Sequence, residues 1–173
     1  MRIALALTLA AAPALAQDPP FGSQEDVADA AAVWEAMEAL RLAGPGAIGA
    51  FPYEGIEPHG FVLETLQVVT EIGSHEGWLF VKRNYGPEGV SVEEMQADPE
   101  GHLAAVTVMF KREAGYDPEN ADWFYAKYLP GGEVEPNPAG VPLAGRVGKG
   151  MEEGCIPCHA GAGDFLFTTD AVE

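Results

Sequence analysis

Apolar positions change their spacing along the chain, first helical and then strand-like. After Ser23, the residues Val27, Ala30, Ala31, Trp34, Met37 and Leu40 recur on one helical face. Ser23 and Asp26 form an S-x-x-D capping box. Together they predict a helix from Gln24 to Leu42, stopped by Gly44-Pro45-Gly46. Ala47 to Pro58 is rich in Gly and Pro and reads as an irregular connection. From there the pattern becomes strand-like, with many β-branched residues. Phe61–Ile72, Trp78–Tyr85, His102–Arg112 and Trp123–Leu129 are four predicted strands, the last closed by Pro130-Gly131-Gly132. Ser91 and Glu94 offer a second capping box, for one helical turn over Ser91–Gln96. A short helix fits within Arg146–His159. Connections this short cannot carry repeated helical crossovers, which excludes a doubly wound sheet. The expected fold is α+β, mainly an antiparallel β-sheet with an N-terminal helix and a short C-terminal segment that carries both cysteines.

The first residues stand apart from this pattern. Residues 1–16, MRIALALTLAAAPALA, place Arg2 before an apolar run and end in a small-x-small cleavage pattern. They read as a secretory signal peptide, too short for a membrane-spanning helix. Residues 17–173 then form a single domain, expected in the periplasm and free of the membrane after cleavage.

Charge narrows the partners. The chain has 27 acidic and 9 basic residues, a formal charge of -18, which opposes binding to nucleic acid or to an anionic membrane. An apolar share of 47% excludes disorder as the default state. Two cysteines exclude a multi-disulfide scaffold.

Both cysteines fall in Cys155-Ile156-Pro157-Cys158-His159, the C-x-x-C-H pattern of c-type haem attachment. Two thiols at this spacing form thioethers to two haem vinyl groups, and the adjacent His159 ligates the iron. A dithiol redox motif would sit near a βαβ pattern, which is absent. A structural zinc site needs about four ligands, and no second cysteine pair exists. A plain disulfide gives the histidine no role. The expected cofactor is one covalent haem c on Cys155 and Cys158, with His159 as the metal ligand. Candidates for the opposite side of the iron are Met37, Met95, Met109, Met151, His59, His75 and His102. Met37 reads as helix core and Met109 as pocket lining. The three histidines occupy loop or strand-edge positions, where exposure is the usual outcome. No candidate stands out, so an open distal iron site is expected.

Beyond this motif, Gly77–Tyr85 (GWLFVKRNY), Leu103–Tyr128 (LAAVTVMFKREAGYDPENADWFYAKY), Gly140–His159 (GVPLAGRVGKGMEEGCIPCH) and Asp164–Thr169 (DFLFTT) resemble the cytochrome P-460 family, which includes the cytochrome c′-β proteins. The resemblance spans roughly residues 55–170, and its GYDPENADWFYAKY and GVPLAGRV blocks are more specific than the haem motif. It implies a mainly β, often homodimeric periplasmic monohaem protein.

Two activities follow from the resemblance: hydroxylamine oxidation, or non-enzymatic binding of nitric oxide or carbon monoxide. A simple electron carrier is a third reading. The partners implied are a small nitrogen-containing molecule or diatomic gas and a periplasmic redox partner. In the family's enzymes a lysine is bonded to the haem edge, and Lys82 matches it; the plain reading of Lys82 is a surface lysine. A distal carboxylate would serve as base in the oxidation. None lies in Leu103–Phe110, where Thr107 takes the expected place, while Glu64, Glu71 and Glu76 are the nearby alternatives.

Overall fold

The computed structural model describes residues 20–167. The expected signal peptide, and Thr168 and Thr169 of the family-like tail, lie outside the described residues. The described part is α+β. Helix α1 spans Gln24–Ala39, with Ser23 and Asp26 bonded reciprocally as the expected capping box. It ends sooner than the Gly-Pro-Gly stop suggests. Arg41 adopts φ 58°, and the Leu42 N–H turns back to the Met37 carbonyl at 2.8 Å. That closure satisfies a terminal carbonyl and tucks Leu42 into the core.

Six strands follow: β1 (Pro52–Glu54), β2 (Val62–Ile72), β3 (His75–Tyr85), β4 (Leu103–Lys111), β5 (Trp123–Tyr128) and β6 (Ala144–Gly145). They form one open sheet in chain order, every neighbouring pair antiparallel. Helices α2 (Val92–Ala97) and α3 (Pro99–His102) fill the β3–β4 connection, and α4 is Cys155–His159. Two strands escaped the sequence pattern. β1 lies inside the stretch read as irregular, and β6 has only two residues.

The sheet buries both faces differently. On one, Ala30, Val33, Trp34 and Met37 of α1 pack against Leu79, Val81, Val106, Val108, Phe110, Phe124 and Tyr128. Tyr128 fixes the helix by donating its hydroxyl to the Ala30 carbonyl at 2.8 Å. On the other, Met109, Trp123 and Tyr125 meet Phe21, Val147 and Ile156, with Phe165 and Leu166 at the edge. The chain from Arg146 to Phe167 therefore covers the face opposite the helix. Among the described residues no helix is long and apolar enough to cross a membrane.

Candidate functional site

Strand parity decides which side chains reach the second face. Register pairs Thr65 with Lys82, Lys82 with Thr107, and Thr107 with Lys127 in one cross-strand row. The next row on that face runs Gln67, Phe80, Met109 and Tyr125. The intervening residues Val81, Val108 and Ala126 turn toward α1, as a period of two requires.

The C-terminal segment is brought over these rows by close backbone packing. Gly154 has φ 132°, and a Cβ on it would stand 2.8 Å from the Cα of Gly148. Only glycine permits that approach. Just beyond, the Ile156 N–H bonds the Val147 carbonyl at 3.0 Å, and α4 begins at Cys155. Half-buried Cys155 and exposed Cys158 are both free thiols on this single helical turn. Burial pushes the Cys155 thiol up to about 12. A neutral thiol is a poor nucleophile, unlike the activated thiolate of a dithiol redox centre.

His159 ends α4 and is buried. Its Nδ1 bonds the Phe165 carbonyl at 2.7 Å. With that nitrogen donating, Nε2 is the one left to bind a metal, the usual second contact of a ligating histidine. Desolvation holds the His159 pKa below its ordinary value, opposed by the Phe165 carbonyl. The neutral ring is the ligating form.

His159 opens onto a cavity also lined by His59, Phe80, Lys82, Thr107, Met109, Tyr125 and Cys155, with about 510 Å³ of atom-free space including its mouth. A wider hollow, about 1250 Å³ by the same measure, adjoins it through His59, Thr107, Cys155 and His159. Cys158 and Lys127 border that hollow, as do Glu152 and Glu153. The structure thus brings Lys82, Cys155 and His159 to one cavity, with Cys158 at its flank. The two thiols and the free imidazole nitrogen are a donor set that could hold a haem. Tyr125 adds a buried hydroxyl with no partner among the described residues. Such an orphan is costly unless a bound group satisfies it.

Lys82 is half-buried, not an ordinary surface lysine. No carboxylate lies within ion-pair distance of it among the described residues. Desolvation lowers its pKa, with Cys158 opposing. That enlarges the neutral, nucleophilic fraction of the amine.

The nearby carboxylates named as bases do not line the inner cavity. Glu64 is on the opposite parity, buried and paired with Arg83 at 2.9 Å. Glu71 and Glu76 face each other, exposed, near the end of the β2–β3 hairpin. Met37 is core, as expected, and Met95 belongs to a separate cluster with Val62 and Tyr85. Met151 is exposed. Met109 lines the cavity, as its strand position suggested.

The histidines are the correction: His59, His75 and His102 are all half-buried rather than exposed, and of the three His59 is the one that lines the cavity. Expected in an exposed loop, it stands half-buried with its ring centroid 6.1 Å from that of His159. Its Nδ1 lies 3.3 Å from Thr107 Oγ1, which in turn accepts from Asn84 Nδ2 at 3.3 Å. The loop is pinned to the sheet just after it. Gly60, at φ 143°, passes so close to the Tyr85 carbonyl that a Cβ would meet it at 3.0 Å, and the Phe61 N–H bonds that carbonyl at 3.0 Å. Desolvation, followed by Lys82, His159 and Lys127, brings the His59 pKa down to about 3. The only sequence sign of this placement was a histidine directly before a glycine, which is too common to single out.

No family model, curated protein or solved structure matches this chain.

Proposed function

We propose that the chain is a periplasmic monohaem c-type cytochrome, akin to the cytochrome P-460 and c′-β proteins, whose iron takes a diatomic gas. The observation that carries this reading is the anchored His159: its Nδ1 is held by the Phe165 carbonyl while both thiols sit within the same helical turn. Cys155 and Cys158 would hold the haem edge, and His159 would ligate from the proximal side. When bound, haem supplies an iron that changes oxidation state and accepts small ligands. This chain's residues do the rest. Phe80, Met109 and Tyr125 would exclude water from one face. Among the described residues no carboxylate lines the inner cavity, and its Phe80, Met109 and Phe167 side chains suit a diatomic gas better than a substrate that must lose protons.

A second reading, hydroxylamine oxidation, is favoured by Lys82. It lines the same cavity with no acidic partner among the described residues, and burial lowers its pKa, the direction that favours the nucleophilic amine needed for a bond to the haem edge. Export by residues 1–16 would deliver the chain to the compartment where c-type haem is attached.

The test is intact mass after expression with the c-type maturation machinery. One added haem, lost from denatured Cys155→Ala/Cys158→Ala protein, is the expected result. A chain that emerges folded without covalent haem overturns the reading. Nitric oxide should then shift the ferrous absorption spectrum, and hydroxylamine turnover with an electron acceptor would select the second reading.

A further inference from the structure

We infer that His59 is the second axial ligand, closing the distal side of the iron against His159 in the resting protein. The inference rests on the cytochrome reading and departs from the open distal site expected from the sequence. Its warrant is a pair of imidazoles set across one cavity at metal-sharing distance. An imidazole nitrogen ligates a metal at about 2.0 Å. A five-membered ring with bonds of about 1.33 Å has a radius of about 1.1 Å. Two rings on opposite sides of one ion therefore have centroids about 6.2 Å apart, and His59 and His159 stand at 6.1 Å. Their planes are turned by 86°. A ring is free to rotate about its metal–nitrogen bond, because that σ bond is symmetric about its own axis.

Each ring is also tied through the same nitrogen. His159 Nδ1 bonds the Phe165 carbonyl and His59 Nδ1 meets Thr107 Oγ1. That leaves Nε2 as the ligating atom in both, with a fixed orienting contact behind each. The supports come from opposite parts of the fold. His159 is held by the C-terminal segment, whereas His59 is held by β4 through Thr107 and by the Gly60 turn against β3. Among the other candidates only Met109 lines the cavity, and it belongs to the row that packs beneath the C-terminal segment.

Ligation by His59 changes what the site does with a gas. A diatomic ligand would enter only after His59 leaves the iron. Binding would then saturate at the rate of His59 departure rather than rise linearly with gas concentration. The residue would act as a selectivity gate, favouring ligands strong enough to compete with an imidazole.

The holoprotein, with covalent haem verified by mass, separates this inference from the cytochrome reading. The ferric wild type should be six-coordinate and low-spin by absorption and electron paramagnetic resonance. His59→Ala should be high-spin, and added imidazole should restore the low-spin signals. His102→Ala, on α3 and bonded to the Gly86 carbonyl, should leave them unchanged. Carbon monoxide binding to the ferrous protein should saturate in the wild type and become linear and at least tenfold faster in His59→Ala. A high-spin wild type overturns the inference while leaving the haem in place. A low-spin His59→Ala assigns the sixth position to another residue and overturns it equally. Absence of covalent haem removes the cytochrome reading and this inference together. Thr107→Val gives an independent check: loss of the Nδ1 partner should yield a mixture of high- and low-spin protein, and a wholly unchanged spectrum would contradict the positioning role.

Discussion

Replacing Arg83 by Met should be among the most damaging single substitutions in the sheet. Arg83 and Glu64 are 5% and 6% exposed, and their charged groups meet at 2.9 Å. Arg83 also donates to the Ile48 carbonyl at 2.6 Å. Glu64 accepts from the Ala50 N–H at 2.8 Å and from the Tyr85 hydroxyl at 2.5 Å. The pair thus staples the segment leading into β1 onto the β2–β3 hairpin. Met fills most of the volume but leaves the Glu64 charge buried with only two neutral donors. Breaking a buried pair this way costs about 3–5 kcal/mol. For a domain of this size each kcal/mol lowers Tm by about 2–4 °C, so a fall of roughly 6–20 °C is expected. Urea unfolding followed by tryptophan fluorescence and far-UV circular dichroism would measure it. Adding Glu64→Gln removes the stranded charge yet keeps an acceptor for Tyr85. The double variant should therefore be more stable than Arg83→Met alone. A single-variant loss below about 1 kcal/mol, or a double variant weaker than the single, would refute the reasoning.

Three further outcomes follow from the site. In chain expressed without haem, Cys158 should be alkylated well before Cys155 at neutral pH, because burial pushes the Cys155 thiol up to about 12; peptide mapping of a partial iodoacetamide reaction reads the order. If Lys82 is bonded to the haem edge, proteolysis of the holoprotein should release one haem product carrying both the Lys82 and the Cys155–His159 peptides. Recovery of the unmodified Lys82 peptide in full yield would remove the main support for hydroxylamine oxidation. Gly154→Ala should strain the positive-φ turn and push Gly148 away, costing about 1–3 kcal/mol; haem incorporation should drop while the circular dichroism of the sheet is kept.

Some of this was legible in the sequence because the signals are local. The Ser23–Asp26 box started α1 where it begins, and the β-branched runs marked β2 to β5 within a few residues. The Cys155–His159 spacing is likewise complete in five residues. What escaped depended on distant parts. β1 is three residues long and exists because Pro52–Glu54 can pair with Val62–Glu64; β6 likewise needs Tyr125 and Ala126. Glu64 could not be assigned to a face, since β2 is partly buried on both sides and only the pairing with Arg83 fixes its parity. His59 reaches Thr107 across 48 positions of chain, through a turn that no periodicity announces.

The cross-strand rows also bear on how this protein tolerates change in chain length. β2 and β3 pair without interruption from Val62–Tyr85 to Ile72–His75, and parity alone separates Lys82 from Val81. Loss of one residue between Trp78 and Val81 would leave two halves of β3 that cannot both keep their sides. Whichever half stays paired, the other would offer core residues to the cavity and site residues to α1. Substitutions in this hairpin can be graded, but a single-residue deletion is all or nothing. Length variants compatible with the site should therefore collect in the loops, such as residues 86–91 and 112–122, and leave the hairpin's count intact.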